Sequence, residues 1–400
     1  MLSLPEARAL IATHARAISD SETLPLAAAH KRFVAQDCAA LIDVPPAANS
    51  AMDGYALRAP STLPPWSLAV SQTIAAGRPP QPLAAGTAAR ILTGAEIPAG
   101  ADAVAIQEDC DRDDDRVIIK VTVTPGENIR PQGQDLSRGQ ILVAKAQRLS
   151  AIDLAILASS GHGSVTVVRR PRVAIVSSGT ELVPPGKPLA PGQIYDSNRF
   201  ALQAMLEDWG CELVDSVHVV DDLEATQTLL RNLAPRVDLL LTSGGVSVGD
   251  EDHLKTAITR LGSLDLWKVR LKPGKPLAFG HIQYAPGSTP VIALPGNPVS
   301  ALMTAALFVK PFIAGLLGRT YEPLVFEHAP ASFAIEQPRR RPELMRARIH
   351  NGEVVAAPNQ SSGVLSSLQW ANALAWVEAD ITIARGAQLP YLPARSFFDL

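Results

Sequence analysis

The chain has 400 residues, of which 47 % are hydrophobic, with 36 basic and 39 acidic side chains and a formal net charge of −3. At about 150 residues per domain, this length predicts two to four domains. The hydrophobic content excludes a disordered chain. The charge balance excludes a strongly basic protein that coats nucleic acid, so we expect no nucleic-acid partner.

The sequence has no feature that predicts export or a membrane span. Its first residues contain no basic segment and no long apolar run, so we expect no signal peptide. The longest apolar stretch, residues 299–317, is interrupted by Ser300, Thr304, Lys310 and Pro311, which favours a buried helix over a membrane span. The three cysteines lie far apart without a CxxC pair, which disfavours a zinc knuckle. We therefore expect a cytoplasmic protein with free thiols and no membrane partner.

The first part of the chain alternates between helical and strand patterns. A capping box at Ser3 and Glu6, followed by apolar residues at helical spacing, predicts a helical segment up to about residue 41. Residues 48–141 read as short strands, the clearest at 117–123, which we expect to pair with residues 103–107 across an acidic turn at 111–115. A second helix is predicted at 150–160. The pattern therefore predicts an elongated helical domain, 1–45 plus 141–170, into which a β-rich domain, 46–140, is inserted.

From residue 172 the period changes to alternating strands and helices. The predicted strands cover residues 173–176, 212–219, 237–242, 264–271 and 290–294, and the helices between them cover 197–209, 223–233 and 252–261. Asn297 and Pro298 open a last long helix as N-cap and first helical residue. This alternation predicts a central three-layer α/β domain at 171–320 with a mainly parallel sheet. Strand patterns after residue 321 predict a small C-terminal β-barrel at 321–400.

Ligands of an open parallel sheet bind beyond the carboxyl ends of its strands. The loops there, which we call the carboxyl-end rim, are residues 177–181, 220–222, 243–250, 272–275 and 295–298. Their glycines let backbone N–H groups approach an anion, and Lys272 and Lys275 suit a phosphate. Carboxylates beside phosphates need a divalent cation between them. The rim therefore predicts a phosphate-bearing ligand bound with Mg²⁺, and it contains neither a P-loop nor a GxGxxG turn.

Glu181, Asp222 and Asp252 are the carboxylates best placed to hold Mg²⁺. Asp221 competes with Asp222 for this role and Asp250 with Asp252, and Asp252 has the alternative of only capping its helix. We interpret the acidic turn at 111–115 as a solvated hairpin tip and the basic run at 339–341 as a solvated strand end. The eight histidines form no HxH or HExxH pattern, which disfavours a histidine metal centre.

Six motifs resemble those of one known family and occur in the same order. They are Ser50-Ala-Met-Asp-Gly-Tyr-Ala56, Thr93-Gly-Ala-Glu-Ile-Pro-Ala-Gly-Ala-Asp102, Ile194-Tyr-Asp-Ser-Asn198, Ser243-Gly-Gly-Val-Ser-Val-Gly249, Lys272-Pro-Gly-Lys-Pro276 and Leu294-Pro-Gly-Asn-Pro-Val-Ser300. The chain resembles, over essentially its whole length, the molybdopterin molybdenumtransferase family, whose animal relative is the E domain of gephyrin. The family often has Gly-Asp-Glu where this chain has Gly179-Thr180-Glu181, so this chain keeps the glutamate and lacks the second carboxylate.

The resemblance implies a function that agrees with the chemistry of the carboxyl-end rim. The family takes adenylylated molybdopterin and molybdate, cleaves the adenylyl phosphoanhydride with Mg²⁺, and releases AMP and molybdenum cofactor. Its members are homodimers, and their site lies between the central domain of one subunit and the inserted domain of the other. An upstream adenylyltransferase is a candidate partner. The alternatives are an enzyme like that adenylyltransferase, or a scaffold protein that uses the same fold.

The resemblance also implies roles for individual residues. The implied catalytic residues are Asp53, Glu181, Asp222, Asp252, Lys272 and Lys275, of which Glu181, Asp222 and Asp252 would bind metal. The implied substrate-binding residues are Thr93, Gly94, Arg130, Asp135, Ser243, Gly244, Gly245, Pro295, Asn297, Pro298, Arg346 and Ser362. For several of them a plainer alternative stays open: Asp53 and Thr93-Gly94 as ordinary turns, Arg130 and Asp135 as a mutual ion pair, and the two lysines as surface residues.

Overall fold

The computed structural model describes residues 2–219, 222–244, 253–273 and 276–400. The chain forms two compact units, one made of Met1–Ser21 with Val168–Leu400 and the other of Glu22–Val167. The first unit contains an α/β sheet and a C-terminal β-rich sheet, and the second contains a β-rich sheet with a few small elements. The expected multidomain α/β class is therefore confirmed, while the four domain boundaries stay a prediction.

The first helix is shorter than the sequence pattern predicts. It covers Leu4–Thr13, and its capping box is formed because Glu6 accepts from the Ser3 N–H at 2.8 Å. The prediction of helix up to residue 41 is wrong. The chain instead forms two strands and a 3₁₀ turn, at Ser21–Pro25, Cys38–Ala39 and Leu26–Ala28. These strands pair with Ser164–Val168 and Ile141–Val143, so sheet pairing with a distant segment overrides the local helical spacing.

The β-rich sheet of the second unit has six strands. Their order is Ala103–Ile106, Gly54–Leu57, Thr87–Ile91, Trp66–Ile74, Arg116–Ile119 and Cys110–Asp113. The predicted pairing of 117–123 with 103–107 is wrong, because Arg116–Ile119 pairs with Cys110–Asp113 instead. Ala103–Ile106 pairs with Gly54–Leu57. A Cβ at Gly54 would lie 1.9 Å from the Ala105 carbonyl oxygen, so this pairing requires glycine. A further pair joins Asn49–Ser50 to Ile129–Arg130, and the predicted helix at 150–160 is confirmed as Ala151–Ser159.

The central sheet has six strands as well. Their order is Glu212–Val219, Arg172–Ser178, Leu239–Ser243, Gly287–Leu294, Pro276–Tyr284 and Gly262–Lys268, and the first three pairings are parallel. Pro276–Tyr284 is an antiparallel strand that the sequence pattern missed. Because Gly262–Lys268 runs antiparallel to it, the carboxyl end of that last strand lies at the same edge as those of the four parallel strands.

Helices cover both faces of this sheet. Ala174, Val176 and Leu240 pack with the helices Leu223–Leu233 and His253–Leu261. Their neighbours Val173, Ile175, Leu239 and Leu241 are equally buried, and because successive strand residues point to opposite faces they must be covered from the other side. The predicted three layers are thereby confirmed. Ser197–Asp208 is the remaining helix between strands.

The last long helix runs from Pro298 to Leu316. It is long and apolar enough to cross a membrane by composition alone, but 83 % of its 18-residue window is buried inside the protein, as predicted for a core helix. The segment Ala305–Val309 is a π-helix, in which the Lys310 N–H donates to Ala305. Pro311 follows and has no N–H to continue the α-helical pattern, which accounts for the irregular turn.

The C-terminal sheet contains five antiparallel strands. Their order is Glu327–Pro330, Gln388–Pro393, Ala373–Val377, Glu343–His350 and Glu353–Ala356. A bridge between Ala331 and Val354 brings the two ends of this order together, so the sheet curls towards a barrel. Two short helices, Ser366–Trp370 and Ala394–Phe398, complete the region.

Candidate functional site

The carboxyl-end rim places three loops of the central sheet side by side. Ser243 lies in register with Ser177 on one side and with Leu294 on the other. The Asn198 side-chain amide donates to the Ser243 hydroxyl at 3.0 Å and to the Gly296 carbonyl oxygen at 2.7 Å. Asn198 therefore holds two loops together. It belongs to one of the six motifs, which was the signal available in the sequence, but it was not among the predicted site residues.

Gly244 has a conformation and a position that only glycine fits. Its φ is 87°, and a Cβ there would lie 2.6 Å from the Ser178 carbonyl oxygen. Its N–H donates to the Leu294 carbonyl at 3.2 Å and is thus already engaged. The loops approach each other backbone to backbone, which supports the predicted glycine-lined edge but removes this N–H as a ligand donor.

The loop that opens the last long helix keeps its polar side chain exposed. Asn297 is the N-cap residue, but its side chain makes no capping hydrogen bond. Pro295 is buried and Pro298 begins the helix. The exposed Asn297 amide is therefore available to a ligand at the rim.

Two of the three predicted metal-binding carboxylates are described. Glu181 is exposed and folds back over Gly179, where a Cβ would lie 2.6 Å from its carboxylate. The His218 ring nitrogen lies 2.8 Å from the Gly179 carbonyl oxygen and fixes this loop. Asp222 caps the helix Leu223–Leu233, because it accepts from the Ala225 N–H at 2.6 Å. Among the described residues, no three His, Cys, Asp or Glu side chains form a metal cluster.

Three predicted site residues, Gly245, Asp252 and Lys275, lie outside the described residues, as do the competing Asp221 and Asp250. Their roles stay predictions from the sequence. In the part of the chain that the structure describes, the carboxylate pair of the rim is therefore Glu181 and Asp222.

Lys272 lies in a cluster of positive charge. Its ammonium is 3.2 Å from the carboxylate of Glu343, which is fully buried, and Arg339 contacts the same carboxylate. Burial is the main cause that lowers the pKa of Lys272, and the charges of Arg339, Arg346 and Arg341 lower it further. The interpretation of residues 339–341 as a solvated strand end is wrong for Arg339, which is partly buried against Glu343. Two cations thus contact the Glu343 carboxylate, and the charges of Arg341 and Arg346 act on Lys272 beside it.

Arg346 is fully buried in the C-terminal sheet. Its guanidinium donates to the Ser367 hydroxyl at 3.1 Å and to the Ser361 carbonyl at 3.0 Å, and burial lowers its pKa. The next residue, Ser362, accepts at its carbonyl oxygen from the Val299 N–H at 3.1 Å. Arg346 therefore orders a loop that contacts the beginning of the last long helix, beside Asn297.

A separate group of predicted site residues lies in the second unit. The Asp53 carboxylate accepts from the Thr93 N–H at 2.6 Å and from the Thr93 hydroxyl at 2.7 Å. These two hydrogen bonds hold the pKa of Asp53 below its usual value. Gly94 follows with a φ of 79°. The turn is thus built around an ionised Asp53, whose second oxygen has no hydrogen bond among the described residues.

Arg130 and Asp135 do not pair with each other. Both are exposed, and neither has an ion pair in the part of the chain that the structure describes. The alternative of a mutual ion pair is therefore wrong. The acidic turn at 111–115 is exposed, as expected of a solvated tip, and Asp111 pairs with Lys120 at 2.8 Å.

Comparisons with known proteins cover nearly the whole chain. Residues 2–161 match the MoeA N-terminal region (domain I and II), residues 174–315 match a probable molybdopterin binding domain, and residues 328–394 match the MoeA C-terminal region (domain IV). The chain is 39 % identical to a molybdopterin molybdenumtransferase of Haemophilus influenzae, over 80 % of this chain and 78 % of that protein. It is 34 % identical to molybdopterin molybdenumtransferase 2 of Mycobacterium tuberculosis, over 97 % and 98 %.

The fold agrees with these matches. The crystal structure of the molybdopterin biosynthesis MoeA protein from Pyrococcus horikoshii superposes with a TM-score of 0.84 at 29 % identity, covering 98 % of this chain and 99 % of that one. A molybdenum cofactor biosynthesis protein from Pyrococcus furiosus shares the fold, with a TM-score of 0.61 at 19 % identity. The chain therefore belongs to the molybdopterin molybdenumtransferase family and is a transferase of molybdenum cofactor biosynthesis.

Proposed function

We propose that the protein inserts molybdenum from molybdate into adenylylated molybdopterin, and that cleavage of the adenylyl group releases AMP and molybdenum cofactor. The observation that supports this most is the positive charge at Lys272: Lys272 and Arg339 contact the Glu343 carboxylate, and the charges of Arg341 and Arg346 act on Lys272. Both substrates are anions, and an excess of positive charge beside the carboxyl-end rim attracts them.

In this proposal some residues of the rim supply charge and others hold the loops in position. Lys272 neutralises phosphate charge as a point charge. Asn198 keeps the Ser243 and Gly296 loops in place, so that a ligand meets a fixed surface. A rigid surface of this kind favours binding because the protein loses little conformational entropy when the ligand binds.

The donor set at the rim fits Mg²⁺, which usually binds through one or two carboxylates together with substrate phosphates. Glu181 would supply an exposed carboxylate, and Asp222 would supply the oxygen that does not cap Ala225. When bound, Mg²⁺ would neutralise charge on the phosphoanhydride. The role of the protein is to supply these two carboxylates from the loops that follow the neighbouring strands Arg172–Ser178 and Glu212–Val219.

We further propose that the enzyme works in the cytoplasm as a homodimer, receives its substrate from an upstream adenylyltransferase, and uses Asp53 of one subunit with Lys272 of the other. Asp53→Ala and Lys272→Ala proteins should each be inactive alone. Mixed under conditions that exchange subunits, they should recover about a quarter of wild-type activity, because half of the dimers then contain one of two sites without a lesion. Confirmed exchange without recovered activity would refute the shared site.

A genetic test separates the proposed function from its alternatives. The gene is expressed in two bacterial strains, one lacking its molybdopterin molybdenumtransferase and one lacking its molybdopterin adenylyltransferase, and nitrate reductase activity is measured. We expect rescue of the first strain only, and no rescue by Lys272→Ala. Rescue of the second strain alone would favour the adenylyltransferase, and rescue of neither by a folded protein would favour a scaffold.

A further inference from the structure

A cavity lies in the first unit, at the edge of the central sheet opposite the carboxyl-end rim. Its volume is about 420 Å³, which falls within the roughly 300–1,000 Å³ of small-molecule sites. Its lining includes Asp238, just before the strand Leu239–Ser243, and Ser288, near the start of Gly287–Leu294. Leu294 lies six positions after Ser288, so about 20 Å of strand separates this cavity from the rim.

One wall of the cavity is aromatic. The buried Phe279 ring lies behind it, with the ring centroids of His14 at 4.6 Å and of His281 at 5.1 Å. Phe312 completes this wall, with its centroid 6.1 Å from that of Phe279. His14, His281 and Phe312 all line the cavity. Flat rings of this kind pack well against another planar ring, either stacked or edge to face.

The cavity also has one arginine that is available to a ligand. Arg16 lines it and is exposed, and its guanidinium has no ion pair within the described ranges. Asp238 is the carboxylate of the lining, but it accepts from Arg169 at 2.8 Å and 3.1 Å and from the Arg172 N–H at 2.7 Å. Both Asp238 oxygens are therefore engaged, and Arg169 also pairs with Asp20 at 3.3 Å. Arg16 remains to bind a carboxylate or phosphate, for which its planar fork is suited.

We propose that this cavity is a second ligand site, which binds a planar aromatic ring that has one anionic group. The ring packs against His14 and His281, behind which Phe312 is buried, and the anionic group pairs with Arg16. The Ser288 hydroxyl lies on the lining and is exposed, so it can donate to the same group. None of these residues belongs to the carboxyl-end rim, so the proposal does not depend on the proposed function.

The test is a titration of the 400-residue protein, monitored by ligand-observed NMR. Benzoate and phenyl phosphate are the probes, which separates a carboxylate from a phosphate source, while benzamide has the ring without the charge and acetate the charge without the ring. We expect one or both probes to bind, and benzamide and acetate to bind at least about ten-fold more weakly, since a charge-assisted contact is lost in one and the ring packing in the other.

Two variants locate the binding. Arg16→Ala should weaken binding of the probe at least about ten-fold. If the alanine variant does not fold, Arg16→Gln is used in its place. Arg231→Ala, which removes an exposed arginine of the same unit that does not line the cavity, should bind the probe as the wild type does. The proposal is overturned if neither probe binds, if benzamide binds equally well, or if a folded Arg16 variant keeps wild-type affinity. We expect Arg16→Ala to insert molybdenum as the wild type does, which would show that this cavity is separate from the site at the carboxyl-end rim.

Discussion

Replacing Arg346 by methionine should destabilise the protein and loosen the rim at the same time. Methionine keeps much of the side-chain volume but removes the two short hydrogen bonds, to Ser367 at 3.1 Å and to Ser361 at 3.0 Å. Charge-assisted bonds contribute about 1.5–3 kcal/mol each, which gives an upper limit of about 6 kcal/mol. Relief from burying a charge offsets part of this, so we expect a loss of about 2–4 kcal/mol.

The assay combines urea denaturation with hydrogen exchange at one amide. The Val299 N–H donates to the Ser362 carbonyl, one residue beyond the loop that Arg346 holds. We expect this amide to exchange faster in Arg346→Met. The control is Arg348→Met, which removes bonds to the Trp370 carbonyl at 3.0 Å and 2.6 Å and should leave Val299 protected. Unchanged protection of Val299 in a destabilised Arg346→Met protein would refute the reasoning.

Three further changes test other parts of the structure. Gly244→Ala should lower kcat/KM while circular dichroism shows that the protein stays folded. The φ of 87° at this position costs alanine about 1–2 kcal/mol, and the new Cβ would lie 2.6 Å from the Ser178 carbonyl oxygen, so the loop must shift. Wild-type kinetics would contradict this. Glu343→Gln should lower KM for molybdate at least about five-fold, since removing a charge near Lys272 changes the attraction of an anion by ~1 kcal/mol or more; a raised KM would count against the cluster as an anion site. Burial lowers the pKa of Lys310 to about 8 from 10.5, so the unfolded chain binds one more proton than the folded chain between these values. The urea stability of the wild type relative to Lys310→Met should therefore rise from pH 8 to pH 10 by about 2 kcal/mol; a fall would contradict this.

The sequence predicted the elements whose pattern is strongly periodic. The strand Glu212–Val219 and the helix Leu223–Leu233 were predicted to the residue, because an apolar strand followed by an amphipathic helix leaves little ambiguity. The strand Pro276–Tyr284 was missed because proline opens it and Gly280 and His281 interrupt its apolar run. The end of the first helix was wrong because pairing with a segment more than one hundred residues away cannot be seen in local spacing.

In the candidate site, too, some features could be predicted from the sequence and others could not. The loops of the carboxyl-end rim could be predicted, because parallel strands place their carboxyl ends at one edge. The pairing of Lys272 with Glu343 could not, since Lys272 lies in a loop after the central strand Gly262–Lys268, Glu343 lies in the C-terminal sheet, and the two are about seventy residues apart. Nor could the sequence predict that the guanidinium of Arg346 is buried and engaged by a loop. Contacts between distant segments depend on tertiary packing, which no short motif records.

The most direct test of the central claim is a reaction with the purified protein. Adenylylated molybdopterin is incubated with the protein and Mg²⁺, with and without molybdate, and AMP release is measured together with the activation of a molybdenum-free nitrate reductase. We expect molybdate to be required for active reductase, AMP to appear in step with it, and Lys272→Ala to lose both. Consumption of adenylylated molybdopterin without any molybdate-dependent activation, or no consumption at all by a folded protein, would contradict the account.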